Sequence, residues 1–185
     1  MSKSALLIMD VQRGIVERVG GSPEYLERLR HAAEQARGAG VPVIHVVVGF
    51  REGHPEISPA NLTFSRMIGT DAFTPSDDGA EIHPAVAPRP EDITVAKKRV
   101  SAFAGSGLET LLRGSGIDTL VLCGIATSGV VLSTVRQAAD LDFRLVVLED
   151  GCLDADARVH EVLTADVFPR QAEVTSVEKW IATLS

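Results

Sequence analysis

The stretch that most constrains this chain is Leu120-Val121-Leu122-Cys123-Gly124-Ile125-Ala126-Thr127-Ser128-Gly129-Val130-Val131-Leu132-Ser133-Thr134. An apolar run ends in Gly124 and a short polar turn. Apolar residues then recur at Val131, Val135 and Ala138 with helical spacing, which predicts strand, tight turn and helix. In a parallel sheet, ligands bind beyond the carboxyl ends of the strands, and a helix that starts there directs unpaired N–H groups and its positive dipole end into the crevice. A thiol in that first turn would be acidified and reactive. The positions read Ser128, Gly129 and Val130 instead.

The rest of the chain supplies partners for this unit. Residues 5–9 form a fully apolar run that ends in Asp10, the pattern of a buried parallel strand with an acid at its carboxyl end. Val11 to Gly14 begin a loop. Leu26, Leu29, Ala33 and Ala36 then share one face of a helix over 23–37, stopped by Gly38 and Gly40. Further strands are expected over 41–48, 93–96, 120–123 and 143–148, with a last short one at Val174. Helices are expected after Leu108, from the central turn to about Asp140, over 159–167 with Val159, Val162 and Leu163 inward, and over 177–184 with Trp180. Alternating strands and helices make a three-layer, doubly wound, mostly parallel Rossmann-like α/β sheet with helices on both faces.

Residues 49–90 differ: they hold six prolines and no sustained period. So long a segment is expected to be a lid, a binding excursion or an oligomer contact. Arg51, His54, Arg66 and His83 lie in it, and Arg51 and His54 are candidate substrate-binding residues.

The chain has 185 residues, 45% hydrophobic and 23% charged, enough for one core, and a single domain over 1–185 is expected. A net charge of −7 argues against nucleic acid and anionic membranes as partners. The apolar run that meets Asp10 is too short for a signal peptide or a membrane span, so a cytoplasmic location is expected. Cys123 and Cys152 have no metal-type spacing and read as reduced structural thiols.

Such a sheet would gather Asp10, Lys97 and the turn after Cys123 at one edge. In this order they resemble the isochorismatase-like superfamily, also called the cysteine hydrolase family. "LLIMDVQ" is similar to its first strand, which places the catalytic aspartate on Asp10 and a following glutamine on Gln12. "KKRVSAF" is similar to the lysine motif, placing the lysine on Lys97. "LCGIATSGVVLST" is similar to the nucleophile turn, and "VVLEDGCLD" to the strand and turn after it. The resemblance implies a cis peptide before Ala126 and a polar cradle from Gln12, Ile125, Ala126, Thr127, Ser128 and Gly129 that acts as an oxyanion hole. It also implies a small-molecule substrate, a homo-oligomer (dimer or tetramer), and no cofactor.

Laid on this chain, the family's nucleophilic cysteine falls on Val130, and the acid of its turn falls on Ser128. Isochorismatases proper also lack that cysteine: their aspartate protonates the vinyl ether carbon and water completes the cleavage. The resemblance therefore implies a small-molecule hydrolase with Asp10 as general acid/base beside Lys97. Two alternatives stand beside it. One is a non-catalytic binding protein on the same scaffold; the other is an amide C–N hydrolase with a nucleophile relocated to Ser128, Ser133 or Cys152. The metal-binding pattern of nicotinamidases is missing, since His54 stands alone with no acid two residues before it. No metal site is expected.

Overall fold

The computed structural model describes residues 3–184. Six strands form one sheet: β1 Ser4–Met9, β2 Val43–Val48, β3 Ile93–Lys97, β4 Thr119–Ile125, β5 Arg144–Leu153 and β6 Glu173–Thr175. Their order is β3-β2-β1-β4-β5-β6, and every neighbouring pair is parallel. The chain thus winds outward from β1 to β3, then returns to β4 beside β1, which creates a switch point between the two innermost strands.

Alternation along these strands divides the core into two layers. Ala5, Leu7 and Met9 of β1, with Leu120 and Leu122 of β4, face α3 (Leu108–Gly114) and α4 (Leu132–Asp140). Leu6 and Ile8, with Val121, Cys123 and Ile125, face α2 (Pro23–Gly38) and α6 (Val177–Ile181). The period of two places successive side chains on opposite faces, so a continuous apolar run serves both layers. Helix α2 starts where Ser22 accepts a hydrogen bond from the Tyr25 N–H and proline occupies its first turn. Among the described residues, no helix is long and apolar enough to cross a membrane.

Several local expectations change. Arg13–Val19 is helical (α1) rather than loop, with Val16 turned inward. Strand β5 runs on through Glu149 and Asp150 to Leu153, because a register shift carries Cys152 opposite Gly124 and Leu153 opposite Ile125. The helix expected over 159–167 is α5 (Ala157–Val162) followed by a wider π turn, and Val162 is 47% exposed rather than inward. Val177 and Trp180 of the terminal helix are buried against the second layer.

The proline-rich segment after β2 folds around a small core of its own, in which Phe50, Ile57, Phe64 and Phe73 pack with Val48. Three short 3₁₀ turns, Ser65–Met67, Asp78–Ala80 and Pro84–Val86, punctuate it. Its apolar residues are spaced for no regular element, which is why periodicity does not reveal this core.

Candidate active site

Asp10 follows β1, and its backbone takes the left-handed conformation, with φ of 57°. Lys97 closes β3. Lys97 Nζ lies 2.9 Å from Asp10 Oδ2 and donates a second bond, 3.0 Å, to the Arg99 carbonyl. Both side chains are buried, at 1% exposure for Lys97 and 8% for Asp10. Asp10 Oδ1 is buried without a hydrogen-bond partner among the described residues. Burial pushes the Asp10 carboxyl up to about 6, against the opposing pull of the Lys97 ammonium.

Asp10 and Lys97 stand at the floor of a cavity of about 290 Å³. Ile125, Ala126, Gly129 and Val130 form the side contributed by β4 and the turn after it. Val48 and Val100, Thr63, Phe64, Met67 and Phe73 of the long segment, and Ile15, Arg18 and Val19 of α1 complete the wall. A larger cleft, about 600 Å³, opens at the amino-terminal edge of the sheet beside Trp180, away from the pair.

The turn after β4 departs from an ordinary helix start. The Ile125–Ala126 peptide is cis. Thr127–Val131 forms a π turn in which the Gly129 and Val131 N–H groups both donate to the Ala126 carbonyl, at 3.0 and 3.3 Å. Gly124 brings β4 close to β1: its φ is 137°, and a Cβ there would stand 2.0 Å from the Met9 carbonyl oxygen.

The expected cradle is therefore only partly present. Ile125, Ala126 and Gly129 line the cavity, but the Gly129 N–H is already engaged. The Ser128 N–H donates to Asp154 Oδ2 at 2.7 Å, and Ser128 does not line the cavity. Thr127 is fully buried and its hydroxyl pairs with His160 Nδ1 at 2.8 Å. Gln12 donates to the carbonyls of Val48 and Ala80 and accepts from the Val48 N–H. It ties α1, β2 and the long segment together and has no donor left for a ligand. His160, Asp154 and the α1 face were not legible as site residues, although Ile15, Val16 and Val19 carry a helical spacing that reveals the helix itself.

The two candidates in the long segment also lie elsewhere. Arg51 is 80% exposed at its side chain, pairs with Glu56 at 3.6 Å, and is not part of the cavity wall. His54 is buried, donates from Nε2 to the Ala72 carbonyl at 2.7 Å, and packs on Phe50. It stabilises the small core rather than facing a ligand. Arg66 is exposed, and His83 caps a 3₁₀ turn through the Ala85 N–H. Cys123 and Cys152 are buried and outside the cavity wall. Burial pushes the Cys152 thiol up to about 12 and Cys123 well above its usual value. No group of three or more His, Cys, Asp or Glu side chains among the described residues is placed to hold a metal ion.

A doubly wound parallel sheet whose carboxyl edge holds a buried acid–ammonium pair in a pocket defines the class: an α/β enzyme. The chain belongs to the isochorismatase family of hydrolases, whose Isochorismatase domain matches residues 4–179. It is 37% identical over 188 residues to the isochorismatase family protein YecD of Escherichia coli O157:H7, covering 98% of this chain and 96% of that one. It is 30% identical over 207 residues to the ureidoacrylate amidohydrolase RutB of Stutzerimonas stutzeri, covering 100% and 79%. Its fold matches that of a cysteine hydrolase from Pseudomonas syringae with a TM-score of 0.90 at 21% identity, covering 98% and 92%.

Proposed function

We propose that this hydrolase works without a cysteine nucleophile, with Asp10 as the proton donor and Lys97 as its electrostatic partner. One observation carries the reading. Asp10 gives one carboxyl oxygen to Lys97, keeps the other without a hydrogen-bond partner among the described residues, and lines the same cavity as Val130, the residue laid on the family's cysteine. A valine side chain can neither attack nor carry a proton. The two thiols of the chain are buried, held protonated and outside the cavity wall.

Chemically, the protonated carboxyl donates its proton to the substrate carbon of a vinyl ether, leaving an oxocarbenium ion and a carboxylate. The Lys97 ammonium stabilises that carboxylate as it forms. Water adds to the cation, its proton returns to Asp10, and the hemiketal collapses to a ketone and an alcohol. Apolar walls limit competing water and strengthen the electrostatics at the floor. Burial keeps a fraction of Asp10 protonated near neutrality, roughly one in ten at pH 7 for a pKa of about 6.

The amidohydrolase name of the RutB relative favours a second reading, in which the bond cleaved is C–N and Asp10 as carboxylate removes a proton from the attacking water. The two readings require opposite protonation states and so opposite pH limbs. A panel of enol ethers, amides, ureides and lactams, followed by product analysis, tests both. Turnover that disappears in Asp10→Asn supports the proposal. Thermal stabilisation by panel compounds with no product from any of them would instead identify a binding protein.

A further inference from the structure

Three charged side chains line the cavity: Asp10, Lys97 and Arg18. The first two are paired with each other at 2.9 Å. Arg18 is different. It sits in the last turn of α1, one helical turn beyond Ile15 and next to Val19, so Ile15, Arg18 and Val19 present one face to the cavity. Arg18 is exposed, and no ion pair or side-chain hydrogen bond of it is found among the described residues. A cation in the last turn favours the helix dipole, but that effect asks only for a position near the helix end and not for one on the cavity wall. The remaining wall is apolar apart from Thr63, with Phe64, Met67 and Phe73 contributed by the long segment.

We propose that Arg18 determines substrate specificity by pairing with a carboxylate on the substrate, at the open end of the cavity. The proposal rests on the reading of this cavity as the hydrolase site and adds the class of molecule it takes: a small acid with an apolar body, whose scissile bond lies at the end away from its carboxylate. Arg18 is the accessible charge and Asp10 and Lys97 are the buried ones, so an acid held at Arg18 directs its other end toward the floor. A guanidinium binds a carboxylate through two parallel N–H donors, which fixes orientation as well as position. The cavity, about 290 Å³, is roughly twice the ~150 Å³ that holds a benzene ring and accommodates one ring with substituents.

Binding measured without turnover tests this. Benzoate and phenylacetate are compared with benzamide and phenylacetamide, the neutral isosteres, by calorimetry on the parent, Arg18→Gln, Arg18→Lys and Asp10→Asn. The parent is expected to bind each acid about tenfold or more tightly than its amide. Arg18→Gln is expected to lose that preference by weakening the acids alone, Arg18→Lys to restore part of it, and Asp10→Asn to keep it. Once a substrate is known, Arg18→Gln is expected to raise KM with little change in kcat, the pattern of lost uniform binding. Equal acid binding by parent and Arg18→Gln, amide binding as tight as acid binding, or no acid binding to the parent each overturns the proposal. Failure of the hydrolase reading looks different: the acids still bind through Arg18, but no panel compound yields product.

Discussion

Lys97 Nζ meets Asp10 Oδ2 at 2.9 Å although β2 separates the strands that carry them. Adjacent strands lie about 4.8 Å apart, so the two backbones are about 10 Å from each other. The short aspartate cannot cross that gap. The long lysine stem can, and it passes over the end of β2, where Val48 is its register partner. The pair therefore depends on β3 ending level with β2 and on β1 turning at Asp10.

Removing the ammonium leaves a buried carboxyl without the one side-chain partner found for it among the described residues. Lys97→Met is expected to destabilise the fold by about 3–5 kcal/mol in chemical denaturation. Because the cost comes from the abandoned carboxyl, the double variant Asp10→Asn with Lys97→Met is expected to recover most of it. Additive losses would mean that the two side chains act independently.

Asp10 is raised to about 6 by burial, so the acid mechanism has a definite pH signature. The active form is protonated. The rate constant kcat/KM is expected to be flat below pH 6 and to fall about tenfold per pH unit above it. A rate that instead falls on acidification through pH 6 assigns Asp10 to the base role, and with it C–N cleavage by an activated water.

Val130 lines the cavity beside the pair, whereas Cys123 and Cys152 do not. Val130→Cys is expected to place a thiol where Lys97 and the open turn favour the thiolate. Iodoacetamide at neutral pH is expected to label this variant about a hundredfold or more faster than the parent, as followed by intact mass. Equal labelling rates would show that position 130 does not face the cavity.

Gly124 has no room for a side chain, since a Cβ would stand 2.0 Å from the Met9 carbonyl and φ is 137°. Gly124→Ala is expected to cost about 4 kcal/mol or more, or to prevent folding, read as a loss of soluble protein or a large fall in Tm. A variant of parental stability would contradict the close approach of β4 to β1.

The sheet was legible because its strands are continuous apolar runs bounded by glycines and acids, from residues 5–9 to 143–148. Asp10, Lys97 and Val130 were placed by motif, and the fold brings all three to one cavity. What the sequence hid depends on side-chain geometry rather than on pattern. Gln12 looks like a pocket residue, but its amide is consumed by the backbone of β2 and the long segment. Ser128 and Thr127 look like a cradle, yet partners 26 and 33 residues away, Asp154 and His160, take their N–H and hydroxyl. Arg51 and His54 offered suitable chemistry in a segment without period, and only the small core around Phe50 decides that one faces solvent and the other faces Ala72.

The most direct test compares the turnover of three preparations on whichever panel compound is cleaved: the parent, the parent after exhaustive iodoacetamide treatment, and Asp10→Asn. The thiol-free mechanism predicts that alkylation leaves the rate unchanged and that Asp10→Asn, with its circular dichroism intact, loses it by about a hundredfold or more. A rate abolished by alkylation, or retained in Asp10→Asn, contradicts it.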